Sequence, residues 1–155
     1  NEWFQRLESK PNLINLGGEG KLAAMEITRR AISLPDLPEL EIEHGRVRFT
    51  VTLITPAYFG NREETIQVIS NLKPWINCEC VTACISKAIQ IGGWDLAQQR
   101  PRPLRSYIPA GSTWFFEDDA AQIDAIKGLH GSLIGEETSQ AYGYGQILIG
   151  RWRCE

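Results

Sequence analysis

Three arginines in six residues, Arg100-Pro101-Arg102-Pro103-Leu104-Arg105, form the most chemically suggestive stretch of the chain. The prolines keep the backbone extended, and guanidinium groups contact phosphates or stack on bases. The segment is either an RNA contact or a solvated charged loop. Further on, Tyr142-Gly143-Tyr144-Gly145 combines two features of single-strand recognition. Glycines let backbone N–H groups approach a phosphate, and tyrosines stack on unpaired bases. The alternative is a tight helix-to-strand connection whose tyrosines only pack, and the sequence leaves both open. Gly17-Gly18-Glu19-Gly20 lacks the lysine and the serine or threonine of a P-loop, so a plain turn is preferred there. Lys21, which follows it, is grouped with the RNA candidates Arg100, Arg102, Arg105, Gly143, Tyr144 and Gly145. Trp94 is read as a packing residue that anchors its loop in preference to a stacking platform.

Catalysis would need a different set. Metal-independent RNA cleavage activates a 2′-hydroxyl, commonly with a histidine base helped by lysine or tyrosine. Only His44 and His130 are available. His44 lies in an acidic turn between Glu43 and Gly45, and His130 follows Ile126 by one helical turn, where packing is the commoner role. Neither belongs to a recognisable constellation, so no catalytic residue is assigned. Cys78, Cys80 and Cys84 lie within seven residues, with Cys154 far off, at spacings unlike paired C-x2-C zinc knuckles. In a strand Cys80 and Cys84 would share a face and pack as small apolar groups, the reading preferred over a metal site. No metal or cofactor is expected.

The elements that must position these residues follow from periodicity. Arg46 to Leu53 alternates polar and apolar residues, a strand with one buried face. Thr55-Pro56 ends it. Asn61 reads as a helix N-cap with Glu64 at the capping-box position, followed by Ile66, Ile69 and Leu72. A second strand is expected from Cys80 to Ile91, broken by Gly92-Gly93. A polar link from Ala97 to Pro103 leads to a third, Leu104 to Phe116, with a bend at Pro109-Ala110-Gly111. Asp118 or Asp119 caps a helix with Ile123, Ile126, Leu129 and Leu133 on one face, weakened by Gly128 and Gly131. Gln146 to Trp152 is the last strand. The order βαββαβ is that of a ferredoxin-like (RRM-like) α+β fold. It has an antiparallel four-stranded sheet, two helices on one face, and the Arg46–Leu53 strand central beside the third. Residues 46–155 form this domain, and residues 1–45 form an N-terminal extension with a glycine-rich loop, a strand from Lys21 to Ile32 and a proline-rich hinge.

Several segments together resemble a known family. They are Leu16-Gly17-Gly18-Glu19-Gly20, Thr55-Pro56-Ala57-Tyr58-Phe59, Gly92-Gly93-Trp94-Asp95, Ile108-Pro109-Ala110-Gly111-Ser112, and Gly143-Tyr144-Gly145 leading into Ile149-Gly150-Arg151-Trp152. In this order they are similar to the third subunit of the type III-B (Cmr) CRISPR effector complex, a member of the repeat-associated mysterious protein (RAMP) superfamily. The likeness is to the latter half of the family's usual chain, since full members carry another ferredoxin-like half before it. The resemblance implies a non-catalytic subunit of an antiviral ribonucleoprotein. Such a subunit binds guide RNA (crRNA) near its 5′ tag. Its protein partners are the large polymerase-like subunit and the backbone subunits of the complex. The rival readings are an RNA endonuclease of the same superfamily and a protein-only adaptor.

Composition limits the alternatives. The chain of 155 residues is 43% hydrophobic and 23% charged, ordinary for a globular domain. No run of 18 apolar residues is present, so no membrane span is expected. The opening Asn1-Glu2-Trp3-Phe4 has no signal-peptide pattern, so a cytoplasmic location with reduced thiols is expected. It does not begin with methionine, so a piece of a longer polypeptide is expected. A net charge of −3 argues against a free-standing binder of bulk nucleic acid. The distribution matters more. Lys87, Arg100, Arg102 and Arg105 face only Asp95 between residues 85 and 108, whereas acids dominate from Glu117 to Glu137.

Overall fold

A computed structural model describes residues 12–15, 20–26, 33–60, 63, 65 and 78–153. The chain divides into two compact units between Leu34 and Pro35. In the first, strands β1 (Asn12–Asn15) and β2 (Leu22–Met25) pair antiparallel, Asn12 opposite Met25. The expected strand from Lys21 to Ile32 is thus seen as β2, and residues 27–32 lie outside the described residues, as do Gly17, Gly18 and Glu19.

The second unit is organised around β4 (Arg46–Leu53), preceded by the short β3 (Ile42–Glu43). His44 and Gly45 both take positive φ, 51° and 77°, as a two-residue type I′ hairpin turn requires. Alternation along β4 buries Val47, Phe49, Val51 and Leu53 completely. One main sheet results, with β4 central between β10 (Thr113–Asp119) and β11 (Ile147–Arg151), and with β5 (Glu79–Cys84) outside β10. Phe116 lies opposite Phe49, and their rings stack with centroids 5.2 Å apart. The core also holds Trp114, Ile147, Ile149 and Ile126. All strand pairs among the described residues are antiparallel, and the fold class is mixed α+β.

On the other face of the sheet, Arg48 stands opposite Glu117 and donates to it at 3.0 Å, while Arg46 donates to the same carboxylate at 3.2 Å. The Arg48 hydrogen bond, helped by Arg46 and opposed by desolvation, holds the Glu117 carboxyl below the ordinary glutamate value. Trp152 covers this face, donating its indole N–H to the Phe116 carbonyl at 3.1 Å with Arg48 5.6 Å above its ring.

Several expected elements differ. The strand expected from Cys80 to Ile91 breaks after Cys84, and β6 (Ile89–Ile91) leaves the main sheet to pair with β9 (Arg105–Tyr107). The expected Leu104–Phe116 strand is divided in the same way, because Pro109 lacks a donor and Gly111 turns at φ 86° before β10 begins. Between them, β7 (Trp94–Asp95) pairs with β8 (Arg100–Pro101), so residues 89–107 form a hairpin arm. The register of β5 on β10 also shifts between Phe115 and Phe116. That irregularity inverts the pleat, so Cys80 packs against the core and Cys84 is exposed, instead of sharing a face.

Asp119 caps a 3₁₀ turn, Ala120–Gln122, its carboxylate accepting the Ala121 N–H at 2.8 Å. Helix α1 (Ile123–Gly128) follows and stops at Leu129. Leu133 therefore falls beyond the helix and is exposed, and Ile134 is buried in its place. A one-turn helix, α2 (Glu137–Gln140), has no counterpart in the sequence reading. The helix expected from Asn61 to Leu72 lies outside the described residues except for Glu63 and Thr65, both helical.

Candidate nucleic-acid interface

The segment Thr55 to Phe59, just after β4, holds two otherwise separate pieces of chain. Ala57 exchanges backbone hydrogen bonds with Ile108 at the base of the arm, 2.8 and 2.9 Å. On the other side, Thr55 Oγ1 donates to the Gly143 carbonyl and accepts from the Gln146 N–H, both at 2.9 Å. The Gly145 N–H donates to the Pro56 carbonyl at 2.8 Å. The arm and the tyrosine loop thus become the two walls of a cleft of about 520 Å³.

Register decides what the arm contributes. Ile91 lies opposite Arg105 and Ile89 opposite Tyr107, so Arg105 and Tyr107 share the face that lines the cleft. At the tip, the Asp95 carboxylate accepts the N–H groups of Ala97 and Gln98, each at 3.0 Å, and returns the chain into β8. Arg102, beyond β8, reaches the same cleft and has no ion pair among the described residues. Arg105 is paired, its Nη1 2.9 Å from Glu136 Oε2 and its Cζ 4.9 Å from the Tyr58 ring centroid.

Tyr107 and Tyr144 line the cleft, and Tyr58 packs behind Tyr107. Tyr58 and Tyr107 are 5.3 Å apart and Tyr107 and Tyr144 5.0 Å, centroid to centroid. The buried Tyr107 hydroxyl is 3.4 Å from Ser139 Oγ. Tyr142, at the rim, is 72% exposed and leaves a ring face open for stacking. Tyr144 instead is part of the packed row.

The glycine loop has no N–H groups to spare. The amides of Tyr142 and Tyr144 donate to Ser139, that of Gly143 to Gln140 and that of Gly145 to Pro56. Of the two readings the sequence left open, phosphate approach or a tight connection, the hydrogen bonds favour the second for this backbone: these donors close the turn. Gly145 sits at φ 83°, and a Cβ there would run into the Ile134 carbonyl oxygen.

An arginine-bearing arm facing a tyrosine loop across a cleft suits an extended single strand, and comparison with known proteins bears on its setting. Residues 2–152 match the family described as CRISPR-associated protein (Cas_Cmr3). The chain belongs to that family. It is the family of the third subunit of the type III-B effector complex, which the glycine- and aromatic-bearing segments resemble. No curated protein matches the chain.

In this Cas_Cmr3 chain the structure gathers Arg102, Arg105 and Tyr144 at one cleft, while Gly143 and Gly145 flank Tyr144 in the loop without lining it. Arg100 is outside that lining, opposite Asp95 in the arm. Lys21 is exposed and belongs to the other unit. Trp94 is 55% exposed, so it does not anchor the arm by burial, contrary to the packing expectation. His130 is structural: one ring nitrogen lies 2.9 Å from the Pro35 carbonyl and the other accepts the Ile149 N–H at 3.2 Å. With Nδ1 accepting, Nε2 carries the proton and donates to Pro35. His44 is exposed in its turn. Among the described residues, no three His, Cys, Asp or Glu side chains are grouped to hold a metal ion, and no helix is long and apolar enough to cross a membrane.

Sequence reasoning missed Tyr58, Tyr107, Glu136 and Ser139. Tyr107 had a signal, since it follows Arg105 by two residues in a strand. Glu136 had none, because its partner is 31 residues away.

Proposed function

We propose that this chain is a non-catalytic guide-RNA-binding subunit of a type III-B CRISPR ribonucleoprotein, contacting the 5′ tag region and docking on the large polymerase-like subunit beside the backbone subunits. The observation that carries the RNA reading is the cleft, where Arg102 can meet a phosphate while Tyr142 offers a ring face to an unpaired base. The fold part of the reading is a ferredoxin-like βαββαβ domain. What supports it is the strand order β11-β4-β10-β5 with antiparallel pairing throughout. A non-catalytic role is favoured because both ring nitrogens of His130 are engaged by backbone groups, while the exposed His44 sits in a hairpin turn and does not line the cleft.

A second reading, a protein-only adaptor, draws on the arm. Trp94, Leu96 and Leu104 are all exposed there, and apolar groups in that setting favour a protein partner. The experiment is guide-RNA binding by the assembled complex at several salt concentrations, together with RNA crosslinking. Arg102→Ala should weaken binding modestly and flatten the salt dependence by about one phosphate contact. Crosslinks should fall on peptides that contain Tyr142. If no crosslink reaches this chain and Arg102→Ala changes neither affinity nor slope, the adaptor reading takes first place.

A further inference from the structure

The two arginines of the cleft are not equivalent. Arg105 is bonded to Glu136 at 2.9 Å, and Tyr58 fixes both members of the pair. The Tyr58 carbonyl accepts the Glu136 N–H at 2.8 Å, while its ring lies under the Arg105 guanidinium at 4.9 Å. Gly135, at φ 104°, permits that approach, since a Cβ there would stand 2.6 Å from the Tyr58 carbonyl oxygen. The Glu136 carbonyl in turn accepts the N–H groups of Ser139 and Gln140, so the carboxylate is held at the start of α2. Arg102 has no such partner among the described residues. The charges around the cleft therefore cancel: Arg102 and Arg105 stand against Asp95 and Glu136.

We infer that Glu136 limits this cleft to a single phosphate, which Arg102 takes, and makes Arg105 a positioning residue for the tyrosine row. The inference rests on the RNA-binding reading above. A phosphate oxygen could reach Arg105 only by displacing a carboxylate already in contact with it. The displaced Glu136 would then face the incoming anion, a like-charge contact of a few ångströms. The ligand that fits is a single strand entering with one phosphate and one unstacked base, not a duplex edge with a run of phosphates. Glu136 thereby acts as a specificity determinant by repulsion.

The test titrates a fluorescein-labelled oligouridylate against the full chain at several salt concentrations. Glu136→Gln should bind several-fold tighter, with a salt slope steeper by about 0.7, the increment for one further phosphate on a single strand. The gain should vanish in Glu136→Gln combined with Arg105→Ala. Arg102→Ala should weaken binding and flatten the slope. If Glu136→Gln gains nothing while Arg102→Ala still weakens binding, Glu136 does not limit the site, and the RNA reading survives without it. A gain that persists without Arg105 overturns the inference as well, because removal of any nearby carboxylate would explain it. If neither wild type nor Glu136→Gln binds, the RNA reading falls and this inference falls with it. Thermal unfolding checks each variant, and Glu136→Ala repeats the comparison should Glu136→Gln fail to fold.

Discussion

A thiol reacts through its thiolate, so neighbouring cysteines with different surroundings differ in reactivity. Burial, reinforced by a hydrogen bond with Asp118 and by its negative charge, pushes the Cys78 thiol up to about 12. Burial also raises Cys80, whereas Cys84 is on the exposed face of β5. At mildly alkaline pH, below the raised value, Cys78 stays protonated. Iodoacetamide followed by peptide mass spectrometry should therefore label Cys84 in the native chain and spare Cys78 until the chain is denatured. Equal labelling of the two would mean that β5 does not hold its irregular register. The sequence could not reveal this difference. Strict alternation puts Cys80 and Cys84 on one face, and a single extra residue inverts every side chain beyond it. Val47, Phe49, Val51 and Leu53 were legible as core because β4 runs straight through its pairing with β10.

At the scale of elements, the tyrosine loop tests whether a glycine serves backbone geometry or close packing. Gly143 and Gly145 have nearly the same φ, 80° and 83°, but only Gly145 has a neighbour where a Cβ would be, the Ile134 carbonyl. Gly143→Ala should cost about 1 kcal/mol, the conformational penalty alone. Gly145→Ala should cost more than about 2 kcal/mol, because the Ile134 N–H to Gly145 carbonyl bond must also shift. Urea unfolding of both variants measures the difference, and equal losses would remove the packing constraint. The strand pattern at Arg46–Leu53 and Ile147–Arg151 could be read from local alternation. The arm could not. Apolar periodicity marks β6 and β9 as strands, but it carries no information about which partner they choose, and both leave the main sheet for each other. Glycine and proline punctuation at Gly92-Gly93 and Pro109 marked the breaks without giving the change of sheet.

Taken whole, the molecule is acidic, with a net charge of −3, and the arm carries Arg100, Arg102 and Arg105 against the single acid Asp95. Such a chain cannot hold RNA by field alone, and the cleft it presents is itself charge-balanced by Asp95 and Glu136. If the cleft takes RNA as proposed, affinity must then come largely from stacking, for which Tyr142 has the open ring face among the cleft tyrosines. Base–aromatic stacking contributes about 1–3 kcal/mol per base and depends little on salt, whereas each phosphate contact on a single strand adds about 0.7 to the slope. The two contributions therefore separate in one experiment. Tyr142→Ala should lower guide-RNA affinity of the assembled complex by ~1–3 kcal/mol at every salt concentration and leave the slope as it is. Tyr142→Phe should restore most of that loss, since the ring and not the hydroxyl does the stacking. A Tyr142→Ala variant that binds as wild type does, or one that changes the slope instead of the intercept, would show that bases do not stack at this rim. The arginines would then have to supply the affinity, which a balanced cleft with one guanidinium lacking an ion pair among the described residues cannot readily do.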